Sequence, residues 1–331
     1  MTNDQATKMG FWERNRLSGG YLLRSRIGNV LFKICRAILL FGLCFLILQP
    51  LLNKLSISLM EERDLYDSTV ISIPRHLTLN NYSVVNELMS YWQSTLRTFL
   101  MCTVISLFQV ASCTLAGYGF ARFKFPFKSF WFFCVMLVIV VPPQTILAPL
   151  YLNFRFFDIL GIFRLTTGAP LNLIEHGLAG ILILSITGMG LKSGLYIFML
   201  RQYFRGVPPE LDEAALVDGC GRLRTFVSIM LPDAMPMITS CFLFSFVWMW
   251  TDSLYTSLFL RGYNVLSSVL GSLAERLMEY YMRIYTTAAP IGYTQMIIAT
   301  GMLISLLPLI LLYLFAQRAF VESLSQTGIK M

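Results

Sequence analysis

Long apolar runs alternate with short segments where charge and turn-forming residues gather, and this alternation repeats six times along the chain. The runs fall at about residues 30–52, 94–120, 130–151, 177–203, 235–260 and 296–315. About 20 consecutive apolar residues suffice for a helix to cross a bilayer, so each run reads as a membrane span. The pattern predicts an all-α polytopic protein with six transmembrane helices.

The segments between the runs set the orientation. Before the first run stand Lys8, Arg14, Arg16, Arg24, Arg26, Lys33 and Arg36, opposed only by Asp4 and Glu13. Such a basic excess places the N-terminus in the cytoplasm, with Lys33 and Arg36 snorkelling to the inner interface. The basic region is too long for a secretory signal, and no small-residue cleavage site follows the run, so an uncleaved helix is expected. Residues 121–129 carry Arg122, Lys124 and Lys128 without an acid and read as a cytoplasmic loop. Residues 53–91, 153–176 and 261–295 have nearly balanced charge and read as outer segments, and the C-terminus returns to the cytoplasm.

Composition supports the membrane class. The 331 residues are 56% hydrophobic and only 13% charged. A net charge of +8 with most basic residues between apolar runs marks cytoplasmic loops, not a nucleic-acid surface. The seven cysteines show no CxxC spacing and read as unpaired thiols; His76 and His176 stand far apart without ligand patterns, so no metal site is expected. No GxxxxGK[ST] phosphate cradle, HExxH or GxSxG occurs, so the chain is expected to bind no ATP, need no cofactor and be no enzyme by itself.

Three places inside the runs interrupt the apolar pattern. Pro142, Pro143 and Gln144 break the third, where the chain either kinks or lines a cavity. The fourth, about 27 residues at 1.5 Å each, exceeds the hydrocarbon core of about 30 Å and must tilt or bend. It contains Lys192, which either faces the bundle interior as a pathway residue or snorkels as a structural one. The fifth carries Trp250 and Asp252; the carboxylate is costly in lipid unless paired or hydrated, while tryptophans also suit an interfacial belt. Lys192, Trp250 and Asp252 are therefore the candidate pathway residues.

The segment 208–232 is the longest polar insertion between spans on the side expected to be cytoplasmic. Pro208 and Pro209 suit a helix start, and Glu210, Asp212 and Glu213 follow in its first turn, where carboxylates favour the positive end of the dipole. Leu211, Ala214 and Ala215 share one narrow face, and Gly219 and Gly221 stop the helix. A second helix is predicted with Leu223, Phe226, Val227 and Met230 on one face, ended by Pro232.

Here the text becomes specific. Glu213-Ala214-Ala215, Asp218-Gly219, Phe226, Ile229 and Leu231-Pro232 resemble the EAA loop of ABC importer permeases. Ala116 to Pro126 resembles a cytoplasmic loop of the carbohydrate-type branch, with Phe127 where glycine is usual. Leu77 to Tyr82, Trp248 to Tyr255 and Ala316 to Leu324 resemble further stretches of that branch, although Thr251 and Thr256 depart from its usual asparagine and proline. The resemblance covers roughly Leu77 to Lys330 and implies the type I ABC importer permease fold. It implies division into a basic cytoplasmic segment 1–29, a first span 30–52, an outer segment 53–93, a permease core 94–317 and a cytoplasmic tail 318–331. It further implies a second permease subunit, two ATP-binding subunits and an extracytoplasmic solute-binding protein as partners, with Glu213 contacting the ATPase. Ala214 and Ala215 would permit close approach, and Gly219 would let the two short helices turn. Two other readings remain open: a permease for a non-sugar solute, and a membrane sensor or docking protein that keeps the loop as a surface only.

Overall fold

The computed structural model describes residues 11–17, 19–67, 69–70, 73–158, 161–175, 177–260 and 262–328. Asp4, Lys8, His176 and Lys330, used above, lie outside the described residues. The chain divides into two compact units, Met1–Leu77 and Thr78–Met331.

In the first unit, α1 (Phe11–Leu17) is followed by α2 (Tyr21–Leu59), a helix of 39 residues. At 1.5 Å per residue it is about 58 Å long, nearly twice the hydrocarbon core. The expected span 30–52 is thus only the middle of a longer helix. No acid occurs between Glu13 and Glu61, and the single Pro50 leaves the helix continuous. None of its most apolar stretch is buried within the chain. Beyond it, Asp64 gathers the returning strand of backbone. Its Oδ2 accepts the N–H groups of Arg75 and His76 at 3.0 and 2.8 Å, and Oδ1 lies 2.7 Å from His76 Nδ1. The His76 ring and backbone bonds, with that of Arg75, hold this carboxyl below its ordinary range.

The second unit runs through α3 (Asn80–Met89), α4 (Tyr91–Arg122), α5 (Lys128–Val140), α6 (Pro143–Arg155), α7 (Ile162–Thr167), α8 (Leu178–Ile186) and α9 (Ser193–Gly206). It continues with α10 (Glu210–Val217), α11 (Arg222–Thr225), α12 (Met235–Thr251), α13 (Leu254–Phe259), α14 (Leu266–Gly271), α15 (Leu273–Tyr285) and α16 (Ile291–Gly328). Among the described residues only isolated bridges represent β structure.

Helix α4 is the centre of this unit and packs on α8, α9 and α12. Its sequence explains why. Thr98, Met101, Cys102, Ile105, Ser106, Gln109, Val110, Cys113, Thr114 and Gly117 recur every three or four residues and are buried. The stripe is made largely of small side chains, which let helix backbones approach closely where lipid supplies no hydrophobic drive between helices. Gly117 shows how closely. A Cβ there would stand 2.8 Å from Leu200 Cβ on α9.

Among the described residues, three helices are long and apolar enough to cross a membrane alone: Leu23–Leu59, Tyr91–Arg122 and Ile291–Gln317. The other apolar runs are not straight. Helices α5 and α6 meet at 107° where Pro142 and Pro143 remove two backbone donors, so 130–151 is not one simple span. The fourth run is not a continuous helix either. It stops at Ile186 and restarts at Ser193, because Gly188 and Lys192 take left-handed backbone angles of +70° and +62°. The fifth ends at Thr251 instead of residue 260, and a separate α13 follows.

Candidate functional site

Two features stand out in the second unit, one in the 208–232 segment and one in the interrupted fourth run. In the former, α10 begins directly after Pro208 and Pro209, with all three of its acids in the first turn. Gly219 follows at φ +76°, and the N–H of Cys220 reaches back 2.9 Å to the Ala215 carbonyl. That bond closes a glycine C-terminal motif. Open space surrounds Gly219, so backbone conformation and not crowding calls for glycine there. Helix α11 then passes through a π-helical turn, Phe226–Met230, and a last turn, Leu231–Asp233, before a 73° bend into α12.

The faces of this segment are sharply divided. Glu213, Ala214, Asp218 and Gly219 are exposed, as is Pro232. Ala215 is buried at 4% exposure, and Asp212, one turn earlier, is half-buried beside it. Ala214 and Ala215 therefore sit on different faces, and the single face expected for Leu211, Ala214 and Ala215 does not form. The second face also differs from expectation. Leu223 is 79% exposed and Val227 49%, while Met230 is fully buried. The π turn shifts the register of the face by inserting an extra residue before Met230. Phe226 and Ile229 are half-buried, as is Leu231, and the Phe226 ring lies 4.7 Å from that of Tyr118 on α4.

The break between α8 and α9 is held by side chains. Gln109 Nε2 donates to the Leu191 carbonyl at 2.7 Å and lies 2.8 Å from Ser193 Oγ. Its Oε1 accepts from Ser245 Oγ on α12 at 2.8 Å, and Ser245 also meets Ser106 at 3.0 Å. Ser112 Oγ donates to the Ser185 carbonyl at 2.8 Å, at the other edge of the break. Gly190 lets the Gln109 side chain in, since a Cβ there would lie 3.0 Å from Nε2. Backbone freed at membrane depth is tolerated only where such partners satisfy it or it lines a cavity. Thr187 and Met189 remain exposed. Lys192, half-buried, places Nζ 5.0 Å from the centre of the Trp248 ring, a cation–π contact.

The other two pathway candidates are turned inward. Trp250 is 4% exposed, stacks on Phe246 and donates to the Ser305 carbonyl of α16 at 3.3 Å. Asp252 is 8% exposed, and its Oδ2 accepts the Thr256 N–H at 2.9 Å. The carboxylate thus closes the start of α13, which meets the cost of burying it. Lys192 is not beside them in any contact of the structure. Among the described residues, no cluster of three or more His, Cys, Asp or Glu could hold a metal ion.

The family described as "Binding-protein-dependent transport system inner membrane component" matches residues 113–325, which include both features. The chain belongs to this family. It is a membrane component of a binding-protein-dependent transport system. The arabinooligosaccharides transport system permease protein AraQ of Halalkalibacterium halodurans is 25% identical over 87% of this chain and 93% of its own length. The sn-glycerol-3-phosphate transport system permease protein UgpE of Yersinia pestis is 26% identical over 92% and 98%. Among solved structures, a bacterial ABC transporter involved in the import of the acidic polysaccharide alginate aligns with a TM-score of 0.64 and 18% identity. That alignment covers 88% of this chain and 98% of the other, and gives the transport component the fold of an ABC transporter. The ABC permease family expected from the sequence is thus the family found.

Sequence reasoning missed Gln109, Ser193 and Ser245 as a group. A lone glutamine in the middle of an apolar run was a signal, because a polar side chain in a span needs partners on neighbouring helices. Nothing in the sequence indicated which residues those partners were. Arg122 was seen only as one of three charges that orient a loop, and Asp212 only as a first-turn acid.

Proposed function

We propose that this transport component is the permease subunit of a carbohydrate importer, and that 208–232 is its contact with an ATP-hydrolysing subunit. The observation that carries this reading is the division of α10: Glu213 and Ala214 are presented outward, while Asp212 and Ala215 tie the helix to the bundle. A short helix with an exposed acid and a small neighbour fits a cleft lined by basic groups. The sugar assignment is supported by the arabinooligosaccharide relative and by the alginate transporter, while the sn-glycerol-3-phosphate relative, whose name specifies a phosphorylated polyol, favours the second reading of a non-sugar solute.

In this reading the chain pairs with a second permease and two ATPase subunits, and an extracytoplasmic binding protein delivers the solute. The N- and C-termini lie in the cytoplasm, on the side of Arg122, Lys124 and the 208–232 loop. Lys192 and the exposed break at 187–192 face the pathway. Trp250 and Asp252 are buried instead against α16 and at the start of α13.

The test is co-purification from native membranes, wild type beside Glu213→Ala. The wild type brings down an ATPase subunit and a second permease; Glu213→Ala keeps the permease and loses most of the ATPase. Absence of any ATPase with the wild type would favour the sensor reading. Uptake of a labelled oligosaccharide distinguishes the sugar assignment from a permease for another solute.

A further inference from the structure

The second half of the 208–232 segment is anchored in the core through Met230 and Phe226, but α10 is tied to the bundle chiefly by one side chain. Arg122 is the last residue of α4. Its Nη2 donates to the Val207 carbonyl at 2.8 Å, at the end of α9, and its Nε lies 3.0 Å from Asp212 Oδ2 on α10. Both partners of the ion pair are largely covered, with side-chain exposures of 14% and 20%. Among the described residues from Thr78 onward, this is the sole ion pair; the other three lie in the first unit. Arg122 Nε and the second oxygen of Asp212 are both buried without a hydrogen-bond partner, so the Nε–Oδ2 contact is an ion pair held by charge and not by a directed hydrogen bond.

Packing does not offer a substitute. A cavity of about 330 Å³ lies beside the pair, bordered by Arg122, Lys124, Asp212 and Arg222. Of the described α10 side chains only Ala215 is buried, and an alanine gives little grip. Asp212 is also the one acid at a cavity with three cations, so its loss leaves like charges facing each other. Near its middle α4 carries Gln109, three turns and a fraction from Arg122, which holds the break at Leu191 and Ser193.

We propose that Arg122 is a positioning residue that converts movement of α10 into movement of α4. The Asp212 pair and the Val207 bond grip the coupling segment and the end of α9 together. A push on α10 therefore arrives at the α4–α9 pair as one displacement and reaches the break at 187–192. This rests on the reading of 208–232 as the ATPase contact.

The test uses the complex purified with its ATPase, in a chain whose native cysteines are replaced and Met189→Cys is added within the break. Maleimide labelling is measured without nucleotide and with ATP plus vanadate, alongside retention of the ATPase. The otherwise wild-type chain shows a nucleotide-dependent change in labelling rate. Arg122→Met and Asp212→Asn each retain the ATPase and shrink that change at least five-fold. The reversed pair, Arg122→Asp with Asp212→Arg, restores the tie to α10 but not the bond to the Val207 carbonyl, which an aspartate cannot make, and so recovers part of the change. Should Arg122→Met fail to reach the membrane, Arg122→Lys is measured instead. It keeps the charge but not the fork that spans two partners, so the change shrinks at least two-fold. A full-sized change in the single variants would overturn the proposal, and so would a reversed pair that restores nothing. Loss of the ATPase in Asp212→Asn would move the residue into docking and overturn the transmission role. Absence of the ATPase from the wild-type complex would instead bring down the coupling reading itself.

Discussion

The coupling segment and the break at 187–192 are both short interruptions between helices, yet they are secured in opposite ways. The break is held by a network in which Gln109, Ser193, Ser245 and Ser106 answer one another and a backbone carbonyl. The first helix of the 208–232 segment is held by one ion pair, with a backbone bond from the same arginine to Val207 just before it, while its second half is anchored by packing, through Met230 in the core and Phe226 on Tyr118. The difference follows from the surroundings. At membrane depth an unpaired polar group has no water to turn to, so every one must be answered within the protein. Where a segment is exposed, water satisfies what the fold leaves open, and the proposed contact with an ATPase subunit requires such a sparsely attached segment.

That contrast predicts a ranking of damage. Gln109→Leu should be the most severe, because it strips partners from Leu191, Ser193 and Ser245 together. Each buried polar group left unsatisfied costs about 1–3 kcal/mol. The expected outcome is a transporter with lowered thermal stability in detergent and uptake reduced at least ten-fold, although the ATPase still co-purifies. Retained uptake would mean that water replaces the glutamine and that the break is less enclosed than its hydrogen bonds indicate.

Gly117→Ala tests the helix that runs between the two regions. Its new methyl would meet Leu200 at 2.8 Å, forcing α4 and α9 apart at a cost of about 1–3 kcal/mol. A drop in melting temperature together with a smaller transport rate is expected, intermediate between Gln109→Leu and the loop variants. The mildest should be Gly219→Ala. It strains a left-handed backbone by about 1–2 kcal/mol in open space, so global stability measured by heat denaturation hardly changes. Retention of the ATPase, measured by co-purification, should fall by a few-fold. If Gly219→Ala proved more damaging to the bundle than Gln109→Leu, the assignment of rigidity to the break and freedom to the loop would be reversed.

The same contrast decides how much the sequence reveals. The helix starts and stops around 208–221 are local events, written in Pro208, Pro209, the first-turn acids and Gly219, and each could be read from its neighbours. The apolar runs were also legible, since hydropathy needs no partner. What escaped was register and interruption. The π turn at Phe226–Met230 moves Leu223 and Val227 into solvent without any proline or glycine at the site. The break at 187–192 looked like surplus length, because its stability comes from Gln109 some eighty residues earlier. Asp252 looked like a pathway charge because its true partner, the N–H of Thr256, belongs to backbone that only an unexpected helix start leaves free.

Helix α2 has a consequence for how this sequence can change over generations. None of its most apolar stretch is buried within its own unit, and the family match begins only at residue 113. Its face toward lipid asks for hydropathy and length, not for particular shapes, so Leu, Ile, Val and Phe are interchangeable along most of it. Helix α4 has no such latitude, since Gly117 and Gln109 each answer to one neighbour. Random substitution libraries should therefore find α2 tolerant and α4 intolerant at equal apolarity, and homologous proteins should drift fastest where this chain touches itself least.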